Sequence, residues 1–267
     1  MVGITQLISH RFRGFSEKEN TIEGLNSALD FGVAQVEFDI RVTRCGTPLI
    51  YHDEAAKGKN GKAVHICEIM ARDRQSIGGV FTYMPTAEAL FAAAAAHKNK
   101  ARLLIDMKDA GFEDMLVALA KACGLEDRIN WVSWLPETLY AIRDLLPTAE
   151  VTLSHWCKNP DAGIRSLHRV FNAKDGHVPR PKRKLVIGER SGWFIDGPLQ
   201  GEMRQMVNNV CVPVAMVTRE LIEDYQADGI KVSAFSYVTR DGVDTAETEL
   251  GLDDFFIDAK VVFDSFS

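Results

Sequence analysis

The sequence predicts an α/β fold, a (β/α)8 TIM barrel that occupies residues 1–267 as a single domain. Segments with the composition of strands alternate with helical segments along most of the chain, an order that is typical of a parallel sheet. About eight strand segments fall within a length that suits one closed barrel. No Gly-x-Gly-x-x-Gly sequence follows a strand, which disfavours an open dinucleotide-binding sheet.

The strand predictions rest on short apolar runs bounded by turn residues. The first run ends at His10, and a turn at Cys45-Gly46 separates the second run from the third. Short runs of this kind are typical of buried strands. The predicted strands are Ile4–Ser9, Val33–Ile40, Pro48–Tyr51, Arg102–Met107, Ile129–Ser133, Glu150–Ser154, Ile230–Tyr237 and Asp254–Asp258.

The helix predictions rest on residues that start and stop helices. Asn20 is expected to cap the first helix, with Glu23 three residues later in capping-box spacing, and Gly32 is expected to close it. Thr86 caps a second helix that runs through a series of alanines, and Pro136 occupies the first position of another. The predicted helices are Asn20–Asp30, Thr86–Ala96, Phe112–Ala122, Pro136–Leu145 and Thr218–Ala227.

Two segments do not follow the strand–helix repeat. Residues 54–85 are rich in Gly, Lys and Asp and form an excursion after His52, and residues 155–205 form an atypical segment. A barrel keeps its catalytic groups on strand ends while its loops vary the pocket. We therefore expect the atypical segment to influence which substrate is accepted.

Composition excludes several classes of protein. With 31 Lys+Arg against 37 Asp+Glu the net charge is −6, which argues against a nucleic-acid surface. No apolar run approaches about 18 residues, so we expect no integral membrane association. Five scattered cysteines without a Cys-x-x-Cys pair predict reduced thiols. We also expect no signal peptide, and together these features predict a cytoplasmic protein.

Side chains suited to acid–base or metal chemistry fall at the predicted strand ends. Glu37 and Asp39 are two residues apart and project from one face of a strand, and Asp106 ends another strand. Neighbouring carboxylates repel each other unless a cation or proton lies between them. Oxygen ligands suit Mg²⁺ or Ca²⁺ better than zinc. Since a barrel gathers its active site at the carboxyl ends of its strands, His10 and His52 are expected to lie nearby.

The order of these motifs resembles that of the glycerophosphodiester phosphodiesterase family. The family has His-Arg-Gly, Pro-Glu-Asn-Thr, Glu-x-Asp, His-Asp and Glu-x-Lys. The corresponding motifs in this chain are His10-Arg11, Glu19-Asn20-Thr21, Glu37-Phe38-Asp39, His52-Asp53 and Asp106-Met107-Lys108. The likeness extends over most of the chain outside about 155–205.

The resemblance implies a role for each of these side chains. His10 and His52 would be the acid–base pair, and the sequence leaves open which is the acid. The implied ligands of one divalent cation, Mg²⁺ or Ca²⁺, are Glu37, Asp39 and Asp106. The implied substrate contacts are Arg11, Lys108 and Phe235, of which Arg11 and Lys108 would contact the phosphate.

The chain departs from the family pattern mainly near the region that would contact the alcohol parts of the substrate. Phe12-Arg13 separates His10-Arg11 from Gly14, Phe235-Ser236 replaces a Trp-Thr pair, and Asp258-Ala259-Lys260 replaces Asp-x-Pro. Asp106 stands where the family usually has Glu, although the more distantly related sphingomyelinase D enzymes have Asp there. Reaction class is therefore better predicted than substrate. Side chains that could receive a head group are Arg13, Arg190 and Trp193.

Three functional hypotheses follow. The first is a metal-dependent enzyme that cleaves glycerophosphodiesters to glycerol phosphate and an alcohol. The second keeps the same site but acts on another small phosphodiester, either a lysophospholipid or an agrocinopine-type sugar phosphodiester, by hydrolysis, cyclisation or transfer. The third is a non-catalytic binding barrel. The partner expected in every case is a small-molecule phosphodiester, and the sequence is also compatible with a homo-oligomer.

Other polar residues have structural interpretations. Helix capping accounts for Asn20, while Asp53 either orients His52 or closes a turn. Trp193 is expected to pack in the core or a loop, with a pocket-lining role as the alternative. The histidines expected on the surface or in loops are His65, His97, His155, His168 and His177.

Overall fold

The computed structural model describes residues 2–156, 169–173, 175–178, 180 and 191–266. Its strands are β1 (Leu7–His10), β2 (Gln35–Val42), β3 (Pro48–Ile50), β4 (Ala55–Lys57), β5 (Ala63–His65), β6 (Arg102–Met107), β7 (Ile129–Ser133), β8 (Glu150–Ser154), β9 (Arg169–Ala173), β10 (Ser191–Ile195), β11 (Asn209–Pro213), β12 (Lys231–Tyr237) and β13 (Asp254–Ile257). Its α-helices are α1 (Ile22–Phe31), α2 (Arg74–Ile77), α3 (Ala87–Ala96), α4 (Glu113–Ala122), α5 (Pro136–Leu145), α6 (Gly201–Met206), α7 (Arg219–Ala227), α8 (Arg240–Thr245) and α9 (Lys260–Asp264).

A closed barrel of parallel strands forms the centre of the protein. The strands follow the order β1-β2-β6-β7-β8-β11-β12-β13, and β13 pairs with β1 to complete the ring. Inward side chains such as Ile8, Leu104 and Phe256 fill the barrel, while the main core lies between the strands and the surrounding helices. The predicted (β/α)8 fold is confirmed.

Two of the strand predictions need correction. The predicted strand Pro48–Tyr51 does not enter the barrel: β3 pairs antiparallel with the end of β2, from Ile40 opposite Ile50 to Val42 opposite Pro48. The place in the ring belongs instead to β11, whose five residues are all buried and which the sequence analysis missed. A short apolar run carries no periodicity that separates a barrel strand from another buried segment.

The start of α1 also differs from the prediction. Thr21 is its N-cap, and the Thr21 hydroxyl accepts a hydrogen bond from the backbone of Gly24 at 3.1 Å. Asn20 precedes the helix with φ of 58°, which removes it from the capping position. Gly32 closes the helix as predicted, with φ of 97° in the left-handed region that glycine adopts without strain.

The excursion at 54–85 forms a small layer beside the barrel. β4 and β5 make a separate antiparallel pair, and the segment has its own hydrophobic cluster. Leu49 of β3 belongs to that cluster together with Phe81 and Met84. The excursion is therefore anchored next to the edge of β2, close to the end of the barrel where His52 lies.

Two composition-based expectations can be compared with the described part of the chain. No helix within it is long and apolar enough to cross a membrane. Its cysteines, Cys45, Cys67, Cys123 and Cys211, are free thiols. Cys157 lies outside the described residues, and a cytoplasmic location stays a prediction.

His155 is deeply buried in the loop that follows β8, so of the two expected positions, surface or loop, the loop position holds and the surface position was wrong. Its side chain is fully enclosed, and Nε2 lies 3.0 Å from the hydroxyl of Tyr225. Burial lowers the pKa of His155 to about 4, because a charged imidazolium would lose its hydration. His155 therefore stays neutral in the folded protein at pH values where the unfolded chain binds a proton.

Acidification should destabilise the protein through His155. Below the ordinary histidine pKa of about 6.5 the unfolded chain binds a proton at His155, whereas the native protein does not. The free energy of unfolding therefore falls as pH falls. We expect wild type to lose about 2 kcal/mol more than His155→Phe between pH 7 and pH 5, from urea unfolding at both pH values. Tyr225→Phe, which keeps the buried imidazole, should retain the wild-type dependence on pH. Equal losses in wild type and His155→Phe would contradict the assignment.

Candidate active site

Strand register brings the predicted carboxylates together at one end of the barrel. His10 of β1 lies opposite Glu37 of β2, and Asp39 of β2 lies opposite Asp106 of β6. One oxygen from each of Glu37, Asp39 and Asp106 falls within 4.8 Å of the others, and all three side chains are buried. The structure thus places the three predicted metal ligands in one cluster.

Two cations partly compensate this buried negative charge. Arg11 Nε lies 3.2 Å from Asp39 Oδ2, and Lys108 Nζ lies 3.0 Å from Asp39 Oδ1 and also contacts Asp106. Burial alone would raise the pKa of Asp39, but Lys108 and Arg11 outweigh it and hold that pKa well below its usual range. Burial and the neighbouring charge of Asp39 raise the pKa of Glu37 well above its usual range. The cluster therefore still carries charge that a further cation would stabilise.

The donor set fits a hard divalent cation. The three groups offer carboxylate oxygens, which Mg²⁺ and Ca²⁺ prefer. Asp106 Oδ1 is buried and receives no hydrogen bond from the part of the chain that the structure describes. A buried acceptor without a donor is costly, and coordination of an ion would satisfy it.

Each of the two predicted catalytic histidines has a carboxylate at the same ring nitrogen. His10 Nδ1 lies 2.6 Å from Asp258 Oδ1, and His52 Nδ1 lies 2.7 Å from Asp53 Oδ1. This pairing leaves Nε2 of each ring for proton transfer, and His10 Nε2 lies 3.8 Å from Glu37. Burial lowers the pKa of both rings. Asp53 thus sits where it orients His52, one of the two roles expected for it.

Asp258 contacts side chains from two of the three departures from the family pattern that the sequence analysis associated with substrate, and it belongs to the third. Its Oδ2 accepts a hydrogen bond from Arg13 Nη1 at 2.7 Å and another from Ser236 Oγ at 2.6 Å, while Oδ1 lies against His10. Arg13 Nε also donates to Glu19 at 2.7 Å. Two nitrogens of the Arg13 guanidinium, Nε and Nη1, are therefore engaged by Glu19 and by the carboxylate that contacts His10. The Asp258-Ala-Lys departure was the sequence signal that could have identified this carboxylate.

Asn20 holds one of the carboxylates in place. Its side chain is buried, Nδ2 donates to Asp39 Oδ2 at 2.9 Å, and Oδ1 accepts from the backbone N–H of Asp39 at 3.4 Å. Its own backbone N–H donates to Arg11 at 2.9 Å. The positive φ of Asn20 makes this two-point contact possible, since an asparagine tolerates the left-handed region better than most residues. The capping interpretation of Asn20 was wrong.

Of the remaining predicted contacts, Phe235 lies across the carboxyl end of the barrel from the carboxylate cluster. The Phe235 ring is 5.9 Å from the ring of Trp134 and 6.5 Å from that of Phe256. Trp193 packs against the main core, in agreement with the structural interpretation. Arg190 and His168 lie outside the described residues.

The fold and the family comparison define a class before they define a substrate: the protein is a phosphoric diester hydrolase built on a (β/α)8 barrel. The model of the Glycerophosphoryl diester phosphodiesterase family matches residues 9–258, and the chain belongs to that family. The resemblance read from the motifs is confirmed. Among curated proteins nothing matches.

Solved structures share the fold at low sequence identity. A protein from Silicibacter pomeroyi described as a glycerophosphoryl diester phosphodiesterase is 16% identical, with a TM-score of 0.73 over 100% of this chain and 95% of that one. A glycerophosphodiester phosphodiesterase from Parabacteroides distasonis is 17% identical, with a TM-score of 0.68 over 98% and 96%. A phosphodiesterase from Oleispira antarctica, solved with the product sn-glycerol-3-phosphate, is 17% identical, with a TM-score of 0.67 over 97% and 96%.

Removal of the Asn20 side chain should weaken the site without unfolding the barrel. We expect Asn20→Gly to lower turnover and Mg²⁺ affinity by roughly 10- to 100-fold, the usual effect of losing a group that orients a ligand. Activity assays and Mg²⁺ titration by calorimetry measure the two effects. Asn20→Ala should lose the same activity and also about 1 kcal/mol of stability, because alanine disfavours positive φ. Wild-type Mg²⁺ affinity in Asn20→Gly would refute the positioning role.

Proposed function

We propose that the protein hydrolyses glycerophosphodiesters to glycerol phosphate and an alcohol, with one divalent cation, Mg²⁺ or Ca²⁺, and the His10/His52 acid–base pair. The observation that carries the proposal is the convergence of three buried carboxylates with two carboxylate-backed histidines at the carboxyl end of the barrel. Membership of the family supports the reaction class. The bound product of the Oleispira antarctica protein supports glycerol phosphate as one half of the substrate.

Glu37, Asp39 and Asp106 would hold the cation. When bound there, it would supply positive charge to a non-bridging phosphate oxygen and stabilise the charge that builds up during the reaction. The carboxylates would at the same time be released from their mutual repulsion, which together with burial raises the pKa of Glu37 in the protein alone, burial being the larger cause.

Arg11 and Lys108 would bind the phosphate from the protein side. Both cations already lie against Asp39, so they border the carboxylate cluster where a phosphate would be placed. Arginine presents several N–H donors to phosphate, and lysine acts as a point charge. Their burial strengthens these contacts because little water competes for them.

The histidines would move the protons. One Nε2 removes a proton from the attacking oxygen, and the other protonates the leaving alcohol, a division that suits groups titrating near neutrality. Asp258 and Asp53 hold the two rings in orientation at Nδ1. The attacking oxygen is that of water or of the substrate's own neighbouring hydroxyl, and the latter gains from proximity and yields a cyclic phosphate first.

The second candidate function keeps the site and changes the diester. A lysophospholipid is favoured by Phe235, which joins a cluster of large aromatic rings instead of standing alone at the end of the barrel, and a sugar phosphodiester is the other form of this hypothesis. A non-catalytic binding barrel has no comparable support, since both histidines and all three carboxylates are present and assembled. The single-domain assignment, the cytoplasmic location and a homo-oligomer remain predictions.

Activity should depend on a divalent metal. Excess chelator should abolish hydrolysis of glycerophosphocholine, and Mg²⁺ or Ca²⁺ should restore it, because the carboxylate cluster needs a cation to bind phosphate. Asp106→Glu should retain more activity than Asp106→Asn, since it keeps the charge and changes only the reach. Calorimetric titration of the same variants gives metal affinity independently of turnover. Full activity in protein whose metal content is verified as zero would exclude the three-carboxylate site.

Loss of either histidine should slow the reaction strongly. His10→Ala and His52→Ala should each lower kcat by at least about 10²-fold, the scale of general acid–base catalysis. The double variant should lose less than the product of the single losses, because the pair acts as a unit. His65→Ala, an exposed histidine in β5, serves as the control and should retain wild-type kcat. A histidine whose removal leaves kcat unchanged has no part in the mechanism.

A further inference from the structure

The mouth of the barrel is divided into a charged half and an aromatic half. The groups His10, Glu37, Asp39 and Asp106 lie on three neighbouring strands, β1, β2 and β6. Large aromatic side chains lie at the ends of β7, β8, β12 and β13, which flank β11. In the ring order β11 is directly across the barrel from β2. The aromatic half therefore faces the carboxylate cluster.

The aromatic side chains form a continuous row of ring contacts that begins at His10. We call Trp134, Trp156, Phe194, Phe235 and Phe256 the aromatic wall. The Phe256 ring lies 5.5 Å from the His10 ring in a T-shaped contact, and the row continues from Phe256 to Phe235 at 6.5 Å and from Phe235 to Trp134 at 5.9 Å. Trp134 contacts Trp156 at 5.6 Å, and Trp156 contacts Phe194 at 6.4 Å.

The wall is accessible along part of its length. Phe194 and Phe256 are buried, whereas Trp134, Trp156 and Phe235 are half-buried. Large aromatic faces that stay partly open beside a reaction site contribute apolar area for binding, since such rings bury 150–250 Å² when fully covered. These open rings begin one ring beyond His10, since only the buried Phe256 separates the His10 ring from Phe235 in the row.

We propose that the aromatic wall binds an apolar alcohol arm of the phosphodiester, such as an alkyl, acyl or aryl group, and that Trp134 and Trp156 are specificity-determining residues. The inference rests on the proposed function and adds the substrate class. The phosphate would lie at the charged half, and the ester arm on the His10 side would pass over the buried Phe256 and lie along Phe235 towards the two tryptophans.

A choline-type cation fits the wall less well than an apolar arm does. Aromatic cages bind quaternary ammonium groups through their ring faces, but a cation also gains from an open carboxylate. Asp258, which lies beside His10 and the Phe235-Ser236 pair, has both oxygens engaged by His10, Arg13 and Ser236. Its charge is thus already compensated.

A sugar ring fits less well for a different reason. Sugar hydroxyls lose hydrogen bonds to water on binding and need several protein donors and acceptors in return. The five rings of the wall carry only the two indole N–H groups of Trp134 and Trp156 and no acceptor. Trp156 Nε1 is buried and donates to no acceptor within the described ranges. One such donor could serve the ester oxygen but not a ring of hydroxyls.

A homologous series of diesters tests the wall. The probes are sn-glycero-3-phosphoalkanols with methyl, butyl and octyl groups, with glycerophosphocholine for comparison, assayed with the Mg²⁺-loaded enzyme. We expect kcat/KM to rise with chain length, by up to about fourfold for each methylene that becomes buried. Trp134→Ala and Trp156→Ala should flatten this dependence, while Trp134→Phe should retain most of it because an apolar ring remains.

Tyr83→Ala is the matched control. Tyr83 is a partly exposed aromatic residue in the 54–85 excursion, and the contact of its ring is with Lys18, not with a ring of the wall. Its loss should leave the dependence on chain length unchanged, whatever it does to the absolute rate. A dependence that survives both tryptophan-to-alanine substitutions, or a glycerophosphocholine kcat/KM above that of the octyl diester, would overturn the proposal.

A binding measurement separates failure of the wall from failure of the hydrolase assignment. The n-alkylphosphonates of the same chain lengths, titrated calorimetrically, should bind wild type more tightly as the chain grows and Trp134→Ala with little such increase. Turnover of the methyl diester without any dependence on length would reject the wall and leave the hydrolase intact. Length-dependent phosphonate binding without turnover of any diester would reject the hydrolase and leave the wall intact.

Discussion

The arrangement of the site depends on the electrostatic repulsion among Glu37, Asp39 and Asp106 and on the positive charges that offset this repulsion. Parallel register between β2 and β6 forces these carboxylates into a buried space of a few ångströms. Like charges at that distance are tolerated only with opposite charge beside them. Arg11 and Lys108 provide part of it by contacting Asp39. The negative charge that Arg11 and Lys108 do not offset is the reason to expect a divalent cation in the cluster.

The backbone conformation around the site helps to place the groups that offset the negative charge of these carboxylates. Arg11 and Asn20 both have positive φ, at 56° and 58°. This conformation allows the backbone N–H of Arg11 to donate to Glu37 while its guanidinium reaches Asp39. Such backbone conformations cost free energy and persist where the surrounding contacts over-determine them. Here the surrounding contacts are hydrogen bonds to the carboxylates themselves.

The carboxylates beside His52 and His10 differ in burial, and this difference shows what the departures from the family pattern do near His10. The Asp53 side chain at His52 is mostly exposed, whereas Asp258 at His10 is largely enclosed. Burial alone would raise the pKa of Asp258, but contacts with His10, Ser236 and Arg13 outweigh it and hold the pKa below its usual range. The inserted Arg13 and the substituted Ser236 therefore meet on one carboxylate beside His10, the proposed catalytic histidine, and the residues proposed to select the substrate lie in the aromatic wall.

The sequence by itself determined the barrel class and placed Glu37 and Asp39 on one face of one strand, because alternation of elements and two-residue spacing are local properties. The order of its motifs, through the resemblance to the family, indicated the reaction class. Tertiary structure decided what local pattern cannot encode. In the folded protein β11, and not β3, is a strand of the barrel, and the sequence could not show this because the strands that pair with β11 are distant in the chain. Tertiary structure also turned Asn20 from a helix cap into a partner of Asp39, and it assembled the aromatic wall from five separate elements whose rings meet only after the barrel closes.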